Sequence, residues 1–365
     1  MDYLNNKNNF IVIGAARSGI SAAQFLAGKG KNVVLYDTKE YDKLLKEGFG
    51  IEKLLGNEKV SLKLGSNPDE AAVLTANAII LSPGVPPDIS ICNFAREHGI
   101  DVISEVELAN KFFKGKIVAI TGTNGKTTTT HLTQQLLSHC GKNAFVCGNI
   151  GLPFIDYVNS SDSESYAALE ISSFQLSMCE DMAPVVAVIT NITPDHLDRH
   201  KTMENYIAAK ANVFKNMQGD SLLILNYDDD TVRGLASKAK CKVAYFSLKN
   251  KNADAYLDGN GIYIKDFGKV TDTNEMQIIG PHNAANAMCA LLCAKELGCD
   301  LKEAGEALKL FKPVEHRVEF VRELDGVKYI NDSKGTNPDA TITAVNSFNC
   351  PLIMILGGYD KKNSF

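Results

Sequence analysis

The sequence predicts an α/β protein whose sheets are mostly parallel. Three observations predict this class: short apolar runs alternate with helical segments, most apolar runs end in glycine or polar residues, and the pattern falls into three blocks. The chain has 365 residues, whereas one domain typically has about 150. We therefore expect more than one domain.

The first block, residues 1–110, reads as repeated strand–helix units. FIVIG and NVVLYD are apolar runs, and between them residues 18–28 carry Ile20, Phe25 and Leu26 at helical spacing. AIILSPGVP and DVISEVELA continue the alternation, the latter as a strand running into a short helix. This arrangement predicts a parallel sheet with helical crossovers.

The second block, residues 111–313, opens with the apolar run KIVAIT, a glycine-rich turn and a helix that begins near Thr127. YAALEI, VVAVITN and SLLILN follow as buried strands. Their polar ends are Glu170, Thr190 with Asn191, and Asn226. Ligands of open parallel sheets bind beyond the carboxyl ends of the strands, so we expect the functional site there.

The third block, residues 314–365, contains three apolar runs that we interpret as strands, VEFVREL, GVKYIND and PLIMILGG, with a helix at about 338–347. Its 52 residues fall below the usual size of a domain, about 100–150 residues. A crossover helix should follow the last run. We therefore expect this third domain to be incomplete.

Composition excludes several classes of protein. Hydrophobic residues make up 45% and charged residues 22%, which excludes a mainly disordered, collagen-like or coiled-coil chain. A net charge of −5 gives no bulk attraction to nucleic acid. The first residues, MDYLNNKNNF, lack the long apolar core that a signal peptide has, and no stretch of the sequence approaches 18 apolar residues. The nine cysteines include no Cys-x-x-Cys pair, which favours reduced thiols in a cytoplasmic protein.

The strongest motif is Gly122-Thr-Asn-Gly125-Lys126-Thr127, which follows an apolar strand and opens a helix. Glycines let backbone N–H groups curl around phosphate oxygens, and the helix N-terminus adds partial positive charge. Lys126 would then reach the terminal phosphates and Thr127 would ligate Mg²⁺. Ile120 stands where the longer form of the motif has its first glycine. A plain glycine-rich turn is the alternative.

The N-terminal turn Gly14-Ala-Ala-Arg-Ser-Gly19 imitates a dinucleotide-binding turn, and Asp37 ends the next strand where a ribose-binding acid would lie. Ala16, however, replaces the glycine that lets the backbone approach a pyrophosphate. The turn therefore disfavours NAD. A nucleotide diphosphate held differently and a purely structural turn remain equal alternatives.

Acidic and histidine side chains follow two of the central strands. Glu170 is placed to hold Mg²⁺, with capping of the next helix as the alternative. Asp195, His196, Asp198 and His200 share one loop. Such a loop is usually only solvated, but next to a nucleotide site His196 becomes a candidate metal or substrate ligand.

Lys210 occupies a gap in the apolar stripe Met203, Ile207, Phe214 and Met217 of a helix that we predict over 202–217. A lysine on a buried stripe must snorkel, pair or lose its charge. A neutral amine can react with carbon dioxide to form a carbamate, an anionic metal ligand. Spacing alone favours snorkelling.

Three further motifs carry polar groups: Gly280-Pro-His-Asn-Ala-Ala-Asn286, His316-Arg317, and Asn331-Asp-Ser-Lys-Gly-Thr-Asn337. The first offers side-chain amides suited to the edge of a base. The second offers a guanidinium that could clamp a phosphate. The third combines a carboxylate, an amine and hydroxyls, suited to a sugar or a second substrate. Each alone would be read as a cap or a turn.

Together, these motifs resemble those of the Mur ligases, ATP-dependent amide ligases of peptidoglycan precursor synthesis. Residues 122–127, 169–176, 191–200, 282–286 and 331–337 match in the family's order, and with Leu81-Ser-Pro-Gly-Val-Pro86 they look most like the branch that adds D-glutamate. The resemblance implies a Rossmann-like domain at 1–110 that binds a UDP-substrate, a P-loop ATPase-type domain at 111–313, and a Rossmann-like amino-acid-binding domain at 314–365.

The resemblance also implies roles for individual residues. It implies ATP binding by Gly122, Thr123, Asn124, Gly125, Lys126, Thr127, Thr128, Asn283, Asn286, Arg317 and Asp332. It implies binding of UDP-N-acetylmuramoyl-L-alanine by Gly14, Ser18, Asp37, Thr38, Ser82, Pro83, Gly84, Asn149 and Ser172. It implies D-glutamate binding by Lys334, Thr336 and Lys361.

For catalysis, the resemblance implies Lys126, Glu170, His196 and Lys210. It also implies two Mg²⁺ ions held by Thr127, Glu170, His196 and a carbamylated Lys210. The expected protein is a monomer that acts on small molecules, with no nucleic acid and no membrane insertion. With an incomplete third domain, the chain would be expected to bind the UDP-substrate and ATP but to catalyse poorly or not at all. The alternatives are a sister ligase that adds another amino acid, a non-catalytic nucleotide-sugar-binding module, and an NAD-linked dehydrogenase, which is disfavoured.

Overall fold

A computed structural model describes residues 3–348 and 350–358 of the chain. These residues form two compact units. The first contains the chain up to Gly115, with Cys147–Ser163 and Ser173–Met182; the second contains Lys116–Val146, Glu164–Ser172 and the described chain from Ala183 onward. None of the helices among the described residues is long and apolar enough to cross a membrane.

The first unit contains a five-stranded parallel sheet. Its strands are β1 (Asn9–Ile13), β2 (Asn32–Asp37), β3 (Val60–Leu64), β4 (Ala78–Leu81) and β5 (Asp101–Ser104), in the order β3-β2-β1-β4-β5. Its helices are α1 (Arg17–Gly28), α2 (Tyr41–Glu47), α3 (Glu70–Leu74), α4 (Ser90–Glu97) and α5 (Glu105–Asn110). The predicted strand–helix alternation of the first block is confirmed.

The second unit is built on a nine-stranded sheet. Its strands are β6 (Lys116–Thr121), β7 (Asn143–Gly148), β8 (Ser165–Glu170), β9 (Val186–Ile189), β10 (Gly219–Asn226), β11 (Cys241–Ser247), β12 (Ala255–Asp258), β13 (Gly261–Ile264) and β14 (Gly268–Asp272). The order is β14-β13-β12-β11-β10-β9-β6-β8-β7, and β12–β13 and β13–β14 pair antiparallel. Strand β6 therefore lies between β8 and β9.

Helices cover this sheet because their apolar faces need burial. The helices of the second unit are α6 (Lys126–His139), α8 (Leu197–His200), α9 (Met203–Ala211), α10 (Asp230–Gly234), α11 (Pro281–Glu296) and α12 (Leu301–Lys309), whereas α7 (Ser173–Leu176) belongs to the first unit. Leu132 and Leu136 of α6 share a fully buried core with Val118 and Ile120 of β6. Burial of each such side chain stabilises the fold by about 1.5–3 kcal/mol, so this core holds α6 against β6.

The C-terminal segment contains the hairpin β15 (Glu319–Leu324) and β16 (Val327–Asn331), followed by α13 (Pro338–Val345). Two of the three predicted strands and the helix are confirmed. The interpretation of PLIMILGG as a strand is wrong: among the described residues nothing pairs with 351–358, and Ile353 and Ile355 are 95% and 97% exposed. An apolar run forms a strand only where a neighbour offers backbone hydrogen bonds.

The helix predicted over 202–217 is shorter than expected. Helix α9 ends at Ala211, and residues 212–214 form a 3₁₀ turn. A 3₁₀ turn places residues i and i+3 on the same side, so the apolar spacing continues through the change and the sequence pattern does not reveal it. The burial of Lys210, Phe214 and Met217 is as the stripe predicted.

Candidate active site

The phosphate loop, which we define as Gly122–Thr127, joins β6 to α6. Gly122 and Gly125 have φ values of 140° and 83°, which side chains rarely tolerate. A Cβ at Gly122 would lie 1.9 Å from Thr190 Oγ1, and one at Gly125 would lie 2.5 Å from Asn286 Oδ1. Both glycines are therefore required by close packing as well as by backbone conformation.

The segment that follows β9 holds the phosphate loop in place. Thr123 N–H donates to the carbonyl of Asn191 (2.9 Å), and Asn124 N–H donates to Asn191 Oδ1 (2.9 Å). The carbonyl of Asn124 accepts from Thr190 Oγ1 (2.6 Å) and Asn191 Nδ2 (3.0 Å). The amides of Thr123 and Asn124 are thus committed to this scaffold. The first-turn amides of α6 have no partners within their own helix, as at any helix N-terminus.

Two lysines converge on one carbonyl of the phosphate loop. Lys126 Nζ donates to the carbonyls of Gly122 (3.0 Å) and Thr123 (2.8 Å), and Lys210 Nζ donates to the same Gly122 carbonyl (2.7 Å). Lys210 is only 2% exposed. Burial, and next the neighbouring charge of Lys126, hold the pKa of Lys210 well below its usual value. Burial also lowers the pKa of Lys126. The snorkelling alternative for Lys210 is therefore wrong.

Thr127, Glu170 and Arg317 form a chain of contacts beside this loop. Thr127 Oγ1 donates to Glu170 Oε2 (2.8 Å) and accepts from Arg317 Nη2 (3.0 Å). Glu170 is buried at the end of β8. In the part of the chain that the structure describes, the buried Nε of Arg317 has no hydrogen-bond partner, so one guanidinium donor is left for a ligand.

The loop 195–200 is tied to the phosphate loop through α9. Tyr206 OH lies 3.2 Å from Thr123 Oγ1, and Thr123 Oγ1 donates to the carbonyl of Thr193 (3.1 Å). His196 has φ 54°, with its Nε2 3.6 Å from Asp195 Oδ2. The negative charge of Asp195 acts on Lys210 in the opposite direction to burial, so it offsets part of the lowering of the Lys210 pKa. Asp198 and His200 belong to α8, and the His200 ring packs on Tyr206 at 5.1 Å.

A cavity of about 290 Å³ opens beside the phosphate loop. Predicted residues that line it are Asn124, Gly125, Thr128, Asn283, Asn286, Arg317 and Asp332. Asn286 Nδ2 donates to Asn283 Oδ1 (3.1 Å), and Asn286 Oδ1 accepts from Thr129 Oγ1 (3.1 Å), which fixes the orientation of both amides. The structure thus brings together motifs that lie more than 200 positions apart in the sequence.

Sequence reasoning missed part of the lining. Phe246, Leu248, Ile278, His282 and Val314 also face this cavity. The buried Nδ1 of His282 has no hydrogen-bond partner among residues 3–348 and 350–358. His282 belongs to the motif Gly280–Asn286, so its position in the sequence could have indicated that it lines the cavity. The apolar residues gave none, because their spacing is that of ordinary core positions.

The predicted UDP-substrate residues of the first unit surround the end of β1. Ser82 Oγ donates to the carbonyl of Gly14 (2.7 Å), and a Cβ at Gly14 would lie 2.8 Å from the Ser82 Cβ. The Asp37 carboxylate accepts from the N–H groups of Ala15 (2.7 Å) and Lys39 (2.9 Å). Asp37 and Ser82 thus brace the turn itself.

The remaining predicted substrate residues differ in their surroundings. In the first unit, Ser18 and Pro83 are half-buried, and Thr38, Gly84 and Asn149 are exposed. In the second unit, Ser172 is half-buried after β8, and Lys334 and Thr336 are exposed in the turn between β16 and α13. Lys361 lies outside the described residues.

The metal-binding chemistry of the described chain is limited. Across residues 3–348 and 350–358, three or more His, Cys, Asp or Glu side chains do not gather in any metal-binding group. The predicted set is of another kind, pairing the Thr127 hydroxyl with the Glu170 carboxylate. Two buried oxygen groups 2.8 Å apart fit Mg²⁺, which usually takes one or two carboxylates and obtains its other ligands from phosphates and water.

Comparison with family models finds two matching stretches. Residues 8–104 match the Mur ligase MurD-like N-terminal domain, and residues 120–294 match the Mur ligase middle domain. The two matches together cover more than half of the chain.

Two of the curated relatives that this chain matches, both named UDP-N-acetylmuramoylalanine–D-glutamate ligase, illustrate the similarity. The protein from Caldicellulosiruptor saccharolyticus is 43% identical over 371 residues, which covers 100% of this chain and 81% of the relative. The protein from Clostridioides difficile is 42% identical over 359 residues, which covers 97% of this chain and 78% of the relative.

Solved structures share the fold at lower identity. A murein peptide ligase from Psychrobacter arcticus has a TM-score of 0.60 at 16% identity, over 93% of this chain and 75% of its own. The UDP-N-acetylmuramate–alanine ligase from Thermotoga maritima has a TM-score of 0.57 at 18% identity, over 93% of this chain and 77% of its own. These matches confirm the α/β architecture predicted from the strand–helix pattern.

Proposed function

This chain belongs to the Mur ligase family, and from that premise we propose that it adds D-glutamate to UDP-N-acetylmuramoyl-L-alanine in peptidoglycan precursor synthesis, using ATP. One observation carries the proposal: eight curated relatives, 41–44% identical over 97–100% of this chain, all bear the name of the D-glutamate ligase. ATP is made in the cytoplasm, and we place the reaction there.

The chemistry explains why such a site needs ATP. A carboxylate is a poor acyl donor because its leaving group would be oxide. The substrate carboxylate therefore attacks the γ-phosphorus of ATP in line, and ADP leaves as the acyl phosphate forms. The neutral amine of D-glutamate then attacks the acyl carbon, loses a proton, and inorganic phosphate leaves from the tetrahedral intermediate. No covalent bond to the protein is required.

The first turn of α6 is the proposed cradle for the ATP phosphates. The amides of Thr123 and Asn124 are engaged by Asn191, so the donors left for phosphate are those of Gly125 to Thr128. Lys126 and the available donor of Arg317 add positive charge. In the ATP complex, Lys126 exchanges the carbonyls of Gly122 and Thr123 for phosphate oxygens.

Thr127 and Glu170 are the proposed ligands of the first Mg²⁺, with His196 and Lys210 at the second. When bound, Mg²⁺ neutralises charge on the transferring phosphoryl group. We propose that Lys210 would serve there as a carbamate, because Mg²⁺ prefers oxygen ligands and a carbamate offers anionic oxygens where an amine offers only nitrogen. Its lowered pKa supports this modification, since only the neutral amine reacts with carbon dioxide.

The other roles follow the surroundings of each residue. Asn283 and Asn286 hold adenine with the amide edges that their mutual hydrogen bond orients, and Asp332 holds the ribose. The UDP-substrate is held by Gly14, Ser18, Asp37, Thr38, Ser82, Pro83, Gly84, Asn149 and Ser172. Lys334, Thr336 and Lys361 receive D-glutamate. We propose domain limits at 110 and 313, with Asn149 and Ser172 contributing to the UDP-substrate site from beyond the first limit and Arg317 and Asp332 to the ATP site from beyond the second.

Amino-acid-dependent phosphate release tests the proposal. The protein is incubated with ATP, Mg²⁺ and UDP-N-acetylmuramoyl-L-alanine, and D-glutamate, L-alanine, L-lysine or a dipeptide is added separately. We expect release above background only with D-glutamate. Preference for another amino acid would indicate a sister ligase, and binding of the UDP-substrate without any phosphate release would indicate a non-catalytic module.

A further inference from the structure

The side chain of Asn337 connects the turn after β16 to the phosphate loop. Asn337 Nδ2 donates to Asn124 Oδ1 at 3.0 Å, and Asn337 is 8% exposed. These two residues are 213 positions apart in the sequence. A partly buried amide–amide hydrogen bond over such a separation is specific to the folded arrangement, because it links two loops that share no secondary structure.

Both ends of the Asn337 amide are used, which fixes its orientation. Asn337 is the N-cap of α13, with Oδ1 accepting from Ala340 N–H (2.8 Å). The oxygen is therefore committed to the helix, and the amide nitrogen is the only side-chain donor left for Asn124. The Asn337 carbonyl accepts from Thr341 N–H (3.2 Å), which locks the backbone as well.

At the other end of the contact, the backbone of Asn124 is pinned on both sides by Thr190 and Asn191. The hydrogen bond from Asn337 therefore attaches the turn to a rigid part of the phosphate loop. Arg317 makes a second side-chain hydrogen bond from the C-terminal segment to the phosphate loop, through Thr127, and we assign Arg317 to the ATP phosphates. Asn124 is among the predicted ATP-binding residues, but its contact with Asn337 uses only its side-chain oxygen and leaves the proposed phosphate donors of Gly125 to Thr128 untouched.

The turn that Asn337 ends also carries Lys334 and Thr336, the residues proposed to receive D-glutamate. We propose that Asn337 is a positioning residue: through Asn124 it sets the register between the amino-acid-binding turn and the phosphate loop. The incoming amine is thereby held where the acyl phosphate forms. This inference rests on the proposed function, because it presumes D-glutamate and an acyl phosphate.

Two substitutions separate positioning from helix capping. Asn337→Ser keeps an N-cap oxygen for α13 but is too short to reach Asn124. Asn337→Asp also keeps the cap, and the Asn124 amide can rotate to donate its Nδ2 to the new carboxylate, which restores the connection. We expect the KM for D-glutamate to rise about tenfold in Asn337→Ser, which corresponds to the loss of one hydrogen bond. The KM for ATP should stay within about twofold, and Asn337→Asp should restore the parental KM for D-glutamate.

The closing experiment measures both half-reactions of each full-length variant, with its thermal unfolding midpoint. Acyl phosphate made from ATP and UDP-substrate without D-glutamate is trapped with hydroxylamine as the hydroxamate; we expect parental yields in Asn337→Ser. Parental trapping with an unchanged KM for D-glutamate in Asn337→Ser would overturn the positioning role alone, as would Asn337→Asp matching Asn337→Ser. Absence of hydroxamate from the parent protein would overturn the proposed function and this inference with it.

Discussion

Replacing Gly122 by alanine tests the geometry of the phosphate loop. The new Cβ would lie 1.9 Å from Thr190 Oγ1 and 3.1 Å from the Thr190 nitrogen. Thr190 is buried, and its hydroxyl donates to the carbonyl of Asn124 at 2.6 Å. The clash therefore displaces the hydroxyl that holds the loop, in addition to forcing alanine to φ 140°.

The cost has two parts. A side chain at so unfavourable a φ costs about 1–3 kcal/mol, and the broken hydrogen bond costs about 1 kcal/mol. Because ATP binds only the native loop, this strain of about 2–4 kcal/mol also opposes binding, which corresponds to a loss of affinity of about 30- to 1,000-fold. Equilibrium binding of a fluorescent ATP analogue measures it directly.

Gly141→Ala is the matched control. Gly141 follows α6 with φ 76°, and a Cβ there meets nothing within 4 Å. An alanine held in this left-handed conformation costs about 1–2 kcal/mol of stability. Nucleotide affinity should stay parental, because the phosphate loop is untouched. If Gly122→Ala bound the analogue as tightly as Gly141→Ala does, the argument from the Thr190 contact would be refuted.

Three further outcomes are expected. Lys126→Ala should lower the ligation rate by about 10²–10³-fold, because a preorganised charge at the phosphates is lost. Lys142→Ala, three residues beyond the end of the same helix, should leave the rate unchanged, and equal rates in the two variants would contradict the assignment. Glu170→Gln should weaken Mg²⁺-dependent activation without unfolding the protein, which a magnesium titration of the rate and a thermal melt measure together. Burial raises the pKa of Glu105 from 4.5 to about 8, so the folded protein retains a proton that the unfolded chain loses, and this group costs stability as pH rises from 4.5 to 8. Glu105→Gln should therefore have a free energy of unfolding that exceeds the parent's by up to about 5 kcal/mol at pH 8 and by almost nothing at pH 4.5. Urea unfolding at both pH values measures the difference, and a difference that does not change with pH would rule this out.

The sequence predicted those parts of the fold that local patterns encode. Apolar runs with polar ends located the strands around the phosphate loop, and the spacing of Gly122, Gly125 and Lys126 predicted the loop itself. Lys210 was predicted to lie on the buried stripe of its helix, because stripe membership is a local property, but its spacing favoured snorkelling and did not predict that the amine is buried. In each case the signal in the sequence lies within one element or in the turn that follows it.

What the sequence did not reveal depends on partners distant along the chain. PLIMILGG has the composition of a strand, but strand formation depends on a neighbour, and the described residues supply none. Helix α9 ends earlier than its apolar spacing suggests, because a 3₁₀ turn preserves that spacing. The contacts of Arg317 with Thr127 and of Asn337 with Asn124 join segments about 200 residues apart, and no periodicity reports them.

The transfer of one oxygen atom tests the central claim most directly, namely that ATP bound at the phosphate loop activates a substrate carboxylate. UDP-N-acetylmuramoyl-L-alanine labelled with ¹⁸O in its terminal carboxylate is converted with ATP and D-glutamate, and the released phosphate is examined by mass spectrometry. An acyl phosphate requires one labelled oxygen to leave with each phosphate. Phosphate released in step with product but free of label would contradict the account.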